Sequence, residues 1–210
     1  MTLQRSLIRR SAVVAVTAVA GLALAACGSD SSSGHDMSSM DSSSAPAASA
    51  SASTGAHNAQ DVRFSQEMIT HHRQAIEMAG LAATRASSSE VKALAAKIKG
   101  AQDPEIRTMS GWLTAWGESV PEDMTGMGHD MSSAMPGMMS ADDMAKLGDA
   151  SGTEFDTMFL EMMVQHHQGA IEMAKAEQSK GRHAPAMTLA EAVITAQSAE
   201  IKQMNSLLNT

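Results

Sequence analysis

The residues most able to do chemistry are two tandem histidine pairs, His71-His72 and His166-His167. Met68 stands three and four residues before the first pair, and Met163 stands likewise to the second. On a helix this spacing stacks thioether and imidazoles on one face, so that all three can converge on one ion. Imidazole combined with thioether favours copper, Cu(I) above all, over zinc, magnesium or calcium. A helical wheel turning about 100° per residue from Phe64 puts His71, His72, Met68, Ile69, Ala75 and Met78 in one apolar half. Thr70, Arg73, Gln74 and Glu77 fall in the other half.

Two further segments bring polar groups to the same core. Counted from Ile98, the face that carries Ile106, Met109, Trp112 and Leu113 also carries Gln102 and Glu105. A fourth segment repeats this with Gln197, Glu200, Ile201, Met204 and Leu208. A buried carboxylate is costly unless it is paired or bound to a cation. The core is therefore expected to hold four His, two Glu and two Gln, edged by methionines. One reading is a hydrogen-bond network that fixes how helices pack. The other is a metal site, with imidazole ligands and with Glu105 and Glu200 as ligands or as groups that orient the imidazoles. Met68, Met163, Met109 and Met204 are thioether donors in the second reading and ordinary core filling in the first. Neither histidine pair has the Glu-x-x-His spacing of a ferritin-type di-iron centre, which counts against an oxidase.

The elements that must position these groups are duplicated. Asp61 to Ala79 and Asp156 to Ala174 are identical at 10 of 19 positions, at a constant offset of 95. Leu94, Gln102, Glu105, Ile106, Met109 and Leu113 recur at the same offset as Leu189, Gln197, Glu200, Ile201, Met204 and Leu208. Two copies of a helical hairpin follow from this register. Helices are expected at about 58–85, 88–116, 153–180 and 185–208, with capping boxes at Ser87/Glu90 and Ser151/Glu154. Gly117 and Gly181 read as helix stops, and Pro185 as a first-turn residue. The fold class is all-α, a four-helix bundle of hairpins 57–117 and 153–210 joined by a crossover, 118–152.

The crossover carries Met124, Met127, Met131, Met135, Met138, Met139 and Met144, with His129. Methionines spaced by three or four residues beside a histidine suit loose capture of a soft cation, here His129, Met127, Met131 and Met135. The alternative is compositional drift. Residues 136–147 of this segment are a candidate short helix lying across the bundle.

The N-terminus has Arg5, Arg9 and Arg10 before an apolar run from Ala12 to Ala26, then Cys27. That pattern reads as a signal peptide, 1–26, ending in a lipobox with Cys27 as the acylated first mature residue. Residues 27–56 are a Ser- and Ala-rich tether, too polar to fold. Without the three arginines, 12 basic residues face 23 acidic ones, so only the lipid would hold the protein to an anionic membrane. The formal charge of -8 for the whole chain argues against nucleic acid as a partner. A single Cys excludes a disulfide framework or a Cys-based metal site. Homo-oligomerisation is left open.

MITHHRQAIEMA, then GMMSADDMAKLGDASGTEFDTMFLEMMVQHHQGAIEMA, then AQSAEIKQM resemble the domain-of-unknown-function 305 family over about residues 57–208. The resemblance implies a ferritin-like four-helix bundle in secreted or anchored bacterial proteins, some of them associated with copper binding and tolerance. Carried over by position, its motif residues are His71, His72, His166 and His167, with Met68, Met78, Met163 and Met173. The first copy has Arg73-Gln74 where the second has Gln168-Gly169, so the half-sites are expected to differ in affinity. The expectation is an anchored, extracytoplasmic copper-binding protein and not an enzyme. The alternatives are a metal-dependent oxidase and a metal-free structural or partner-binding module.

Overall fold

The computed structural model describes residues 56–122 and 135–209, all within the unit Ser49–Thr210. Cys27, His129, Met127 and Met131 lie outside the described residues. The fold is all-α: α1 (Ala59–Arg85), α2 (Ser89–Trp116), α3 (Ala141–Asp149), α4 (Gly152–Lys180) and α5 (Ala184–Leu208). None of these helices is long and apolar enough to cross a membrane.

The four long helices fall within a residue or so of their expected bounds, because their apolar periodicity is strong. Their caps differ from expectation. The capping box belongs to α1, where Asn58 Oδ1 accepts from the Gln60 and Asp61 amides and Asp61 Oδ2 accepts from the Asn58 amide. The α2 N-cap is Ser88, not Ser87, whose hydroxyl donates instead to Asp156. Ser151 is the N-cap of α4 but makes no side-chain cap bond. Gly117 ends α2 in the left-handed region at φ 77°, as a helix-stop glycine should. Gly181 ends α4 with φ -68°; it is small for another reason, since a Cβ there would run into the Glu177 carboxyl.

α1 pairs with α2 and α4 with α5 as two helical hairpins, and the hairpins meet through α1 and α4. The apolar interior separates into two clusters. One holds Met78, Val91, Leu94, Ile98, Phe155, Phe159, Met163 and Met204. The other holds Phe64, Met68, Ile69, Met109, Leu113, Met173 and Val193. Every offset-95 pair of candidate methionines is split between them, Met68 from Met163, Met109 from Met204 and Met78 from Met173. The halves are thus related by a pseudo-two-fold, with the histidines near its axis.

The crossover is not all loose chain. Met139 is 7% exposed and joins the first cluster together with Leu147 of α3, while Met144 packs against it. Part of the methionine-rich segment therefore has a packing role that composition alone did not reveal.

Candidate metal centre

His71, His72, His166 and His167 are all buried, as the wheel requires. His71 and His166 come from opposite hairpins and lie against each other, with ring centroids 3.7 Å apart and planes tilted by 40°. Their sequence neighbours turn outward to the second helix of each hairpin. His72 Nε2 bonds Glu105 Oε2 at 2.7 Å, and His167 Nε2 bonds Glu200 Oε2 at 2.9 Å. A carboxylate only accepts, so each Nε2 donates, and each Nδ1 is buried without a hydrogen-bond partner among the described residues. Glu105 and Glu200 thereby hold ring orientation. Burial would raise the Glu200 carboxyl, but the His167 hydrogen bond and charge, with Lys97 Nζ at 3.4 Å, hold it below its ordinary value.

The inner pair is asymmetric. His71 Nε2 donates to the Pro136 carbonyl at 3.2 Å, which leaves its Nδ1 bare. His166 has no partner on either nitrogen among the described residues. Burial, then the neighbouring His72, pushes the His71 pKa down to about 3, against the Pro136 carbonyl, which raises it. Burial, then His71, pushes His166 well below its ordinary value. Both are neutral imidazoles at physiological pH, so no proton has to leave before a metal binds.

The layer as a whole is short of hydrogen-bond partners. Nδ1 of all four histidines is buried without a hydrogen-bond partner among the described residues, as is Oε1 of Gln102 and of Gln197. Buried polar atoms are rarely left unmatched, and such a layer is satisfied by a cation or by water. No group of three or more His, Cys, Asp or Glu side chains among the described residues is arranged to hold a metal ion. Sulfur is the other soft donor in the same core. Met68, Met78, Met109, Met163 and Met204 are fully buried, and Met173 is 7% exposed. They flank the histidine layer in the two clusters, where they also fill space.

The crossover seats itself on this layer through two of the positions at which the repeats differ, the two that follow each histidine pair. Gln74 Nε2 donates to the Met139 carbonyl at 2.9 Å, and Gln74 Oε1 accepts from the Met139 amide at 2.7 Å. Arg73 donates to the carbonyls of Pro121 and Glu122. The equivalent of Gln74 is Gly169, where a Cβ would collide with the Pro136 carbonyl. Gly137, at φ 76°, lies so close to α4 that a Cβ would sit 2.6 Å from the Gln165 carbonyl. Met135 is half-buried and precedes Pro136 in the chain.

Beyond Pro136, a cavity of about 250 Å³ opens between α1 and α4, lined among others by Arg63, Phe64, Glu67, Glu172 and Met173. The pseudo-equivalent groove is filled by Leu147 of α3.

Two aspartates that the sequence reading passed over tie the hairpins together. Asp61 Oδ1 accepts from the amides of Arg182 and His183, in the α4–α5 turn, at 2.9 and 2.8 Å. Asp156 accepts from the amides of Ser87 and Ser88, in the α1–α2 turn, with Oδ2 to the Ser88 amide at 2.9 Å. Both contacts obey the offset of 95. The available signal was the identical first residue of each repeat.

These features match one family. The model of the domain of unknown function DUF305 covers residues 61–208, and the chain belongs to that family. No curated protein matches. Among solved structures, a DUF305 protein from Streptomyces coelicolor, described as a candidate secreted protein, is 34% identical with a TM-score of 0.64, over 71% of this chain and 91% of that one. A DUF305 fragment from Deinococcus radiodurans is 28% identical with a TM-score of 0.66, over 74% and 99%. CopM in its Cu(I)-bound form is 34% identical with a TM-score of 0.59, over 71% and 95%. CopM is also known in Cu(II)-bound and Ag-bound forms.

Proposed function

We propose that this protein binds copper outside the cytoplasm, anchored by lipid at Cys27, and buffers the ion or hands it on without turning it over. The observation that carries the reading is the layer of unpartnered polar atoms: four buried Nδ1 from two symmetry-related histidine pairs, two of them on rings whose Nε2 is bonded to glutamate. Neutral, desolvated imidazole with nearby thioether suits a soft monovalent cation, so Cu(I) is the preferred cargo. The Cu(I)-bound CopM relative supports that choice. His71, His166 and the outer pair would hold the ion, Glu105 and Glu200 would orient the imidazoles, and methionines from the same helix faces would complete the set. Met135, His129, Met127 and Met131 would give weaker capture on the crossover. A secreted relative and the N-terminal pattern support the location.

The test is titration with Cu(I), Cu(II) and Zn(II), using competing chelators to set the affinity scale. The wild type is expected to take Cu(I) tightest, and His71→Ala/His166→Ala to lose at least tenfold in affinity. Unchanged binding by the double variant would rule out the core site. The competing reading is a metal-free network, favoured by the two satisfied His–Glu bonds. It predicts no binding tighter than micromolar by any of the three ions.

A further inference from the structure

The end of the bundle away from α3 holds two carboxyl groups that the metal reading does not use. Asp61 of α1 and Glu177 of α4 are both fully buried; the Glu177 carboxyl lies against Gly181, next to the Arg182 and His183 amides that Asp61 holds, and neither Glu177 oxygen meets a hydrogen-bond donor among the described residues. Neither has an ion-pair partner among the described residues. Lys180 and Arg182 are close in sequence, but their side chains are exposed. α1 adds Asn58 and Gln60 to the surroundings; the turn adds His183, whose ring stands edge-on to Trp112 and Trp116 of α2; α5 opens with Ala184, Pro185 and Ala186. No cationic side chain offsets two buried negative charges here, and two ionised carboxylates in contact would be strongly unfavourable.

The other half of the molecule shows what belongs in this place. Asp156, the equivalent of Asp61, accepts two turn amides and also the hydroxyl of Ser87. Asp61 accepts the two equivalent amides, but Ser87 is replaced by Arg182, and no hydroxyl is available. Glu177 is the buried acid that the second repeat adds here, at a position occupied by Ala82 in the first repeat. Gly181 leaves room for it, since a Cβ there would overlap the Glu177 carboxyl. A carboxylate accepts only, so Glu177 can replace the Ser87 hydroxyl as donor only when it carries a proton.

We propose that Asp61 and Glu177 form an acid–carboxylate pair that holds one proton between the two hairpins, and that release of this proton loosens that end of the bundle. The donor is the Glu177 hydroxyl and the acceptor is the Asp61 carboxylate. Burial first, then the neighbouring Asp61, pushes the Glu177 pKa up to about 8. Burial alone would raise Asp61 too, but the neighbouring Glu177 and the amides of His183, Arg182 and Asn58 hold it below its ordinary value. The folded state thus keeps a proton that the unfolded chain releases above the ordinary Glu pKa of 4.5. The stabilisation is complete below that value and is lost as pH rises through about 8.

The experiment compares the full chain with Glu177→Gln by urea unfolding across pH, with a chelator present so that no metal contributes. Gln keeps a donor to Asp61 and cannot ionise. The wild-type unfolding constant is expected to rise relative to that of Glu177→Gln by up to about tenfold per pH unit between the two pKa values. A ratio that does not change with pH overturns the proposal. Infrared difference spectra at neutral pH provide a second readout that stability does not enter. A protonated-carboxyl C=O band present in wild type and missing in Glu177→Gln is expected, and its absence from wild type also overturns the proposal. So does destabilisation of wild type, but not of the variant, on removal of divalent ions, since the pair would then hold a cation.

Discussion

In the first repeat the tandem histidines are followed by Arg73-Gln74; in the second they are followed by Gln168-Gly169. The first pair of side chains holds both limbs of the crossover by four hydrogen bonds. The second repeat gives up a side chain at Gly169 so that Pro136 can lie against α4. The grooves flanking the histidine layer differ in the same way. Where α3 inserts Leu147, the walls carry Leu81, Met158 and Met162; at the equivalent positions of the open groove stand Ala176, Arg63 and Glu67. The histidines and glutamates meanwhile keep their types and their His–Glu bonds in both halves, and the two aspartates keep their types and their pairs of turn amides. Much of the divergence thus lies in what the crossover touches or leaves to solvent, with Ala82/Glu177 and Ser65/Leu160 as buried exceptions. The two halves of the histidine–glutamate layer differ by the Pro136 carbonyl on His71 and by Lys97 on Glu200.

The most damaging way to break this comparison is to make the second repeat like the first. Gly169→Gln puts a side chain where the Pro136 carbonyl lies, and the backbone there cannot yield without lifting the crossover. A loss of roughly 3 kcal/mol is expected, as for an overpacked core site. Chemical unfolding measures it. The reverse change, Gln74→Gly, should cost less, because it removes bonds without creating a clash.

Acid separates the inner histidines from the rest. A histidine whose folded pKa is depressed contributes stability that is present above its ordinary value near 6.5 and is lost as pH falls toward the folded value. For His71 that window runs from 6.5 down to about 3. His71 alone should remove about 2 kcal/mol by about pH 5. His71→Gln is expected to flatten this part of the stability–pH curve of the metal-free protein. An unchanged slope would show that the ring is not held neutral.

The outer pairs are the more symmetric part, and burial distinguishes them. The Glu200 side chain is 6% exposed, whereas that of Glu105 is 22% exposed. Glu200→Gln should lower Cu(I) affinity by about tenfold or more, the usual effect of losing a carboxylate that orients a ligand imidazole. Glu105→Gln should cost less, because water can replace the lost acceptor. Equal losses would mean that exposure at Glu105 has no consequence for His72.

Much of this architecture is legible in the sequence, for local reasons. Amphipathic periodicity and the constant offset of 95 place four helices and turn the four histidines inward, because both signals are written over a few turns of one helix. What the sequence conceals is contact between distant residues. Asp61 and Asp156 look like first-turn acids, yet their partners lie 121 and 69 residues away. The same cross-link takes Ser87 out of its expected cap and moves the N-cap to Ser88. Gly181 looks like a left-handed stop and is instead a gap for Glu177. Composition treats the crossover methionines as one class, while Met139 is core and Met135 is only half-buried. The pairing of His71 with His166 depends on how two hairpins dock, which no single-helix pattern specifies.

Gln74 offers the mildest test of how the crossover is held. Its amide bonds both backbone groups of Met139 and packs on nothing the histidines need. Gln74→Ala should cost about 1 kcal/mol, because water replaces a half-exposed pair of hydrogen bonds at modest net loss. The local effect should be easier to see than the global one. The Met139 amide, now donating to Gln74, should exchange with solvent faster, while amides in the centre of α1 and α4 keep their protection. If the Pro136 carbonyl restrains His71, releasing this clamp should also speed Cu(I) uptake without changing the equilibrium affinity of the histidines. A variant that exchanges faster at Met139 yet takes up metal at the wild-type rate would separate the crossover from metal access, leaving it only a packing role.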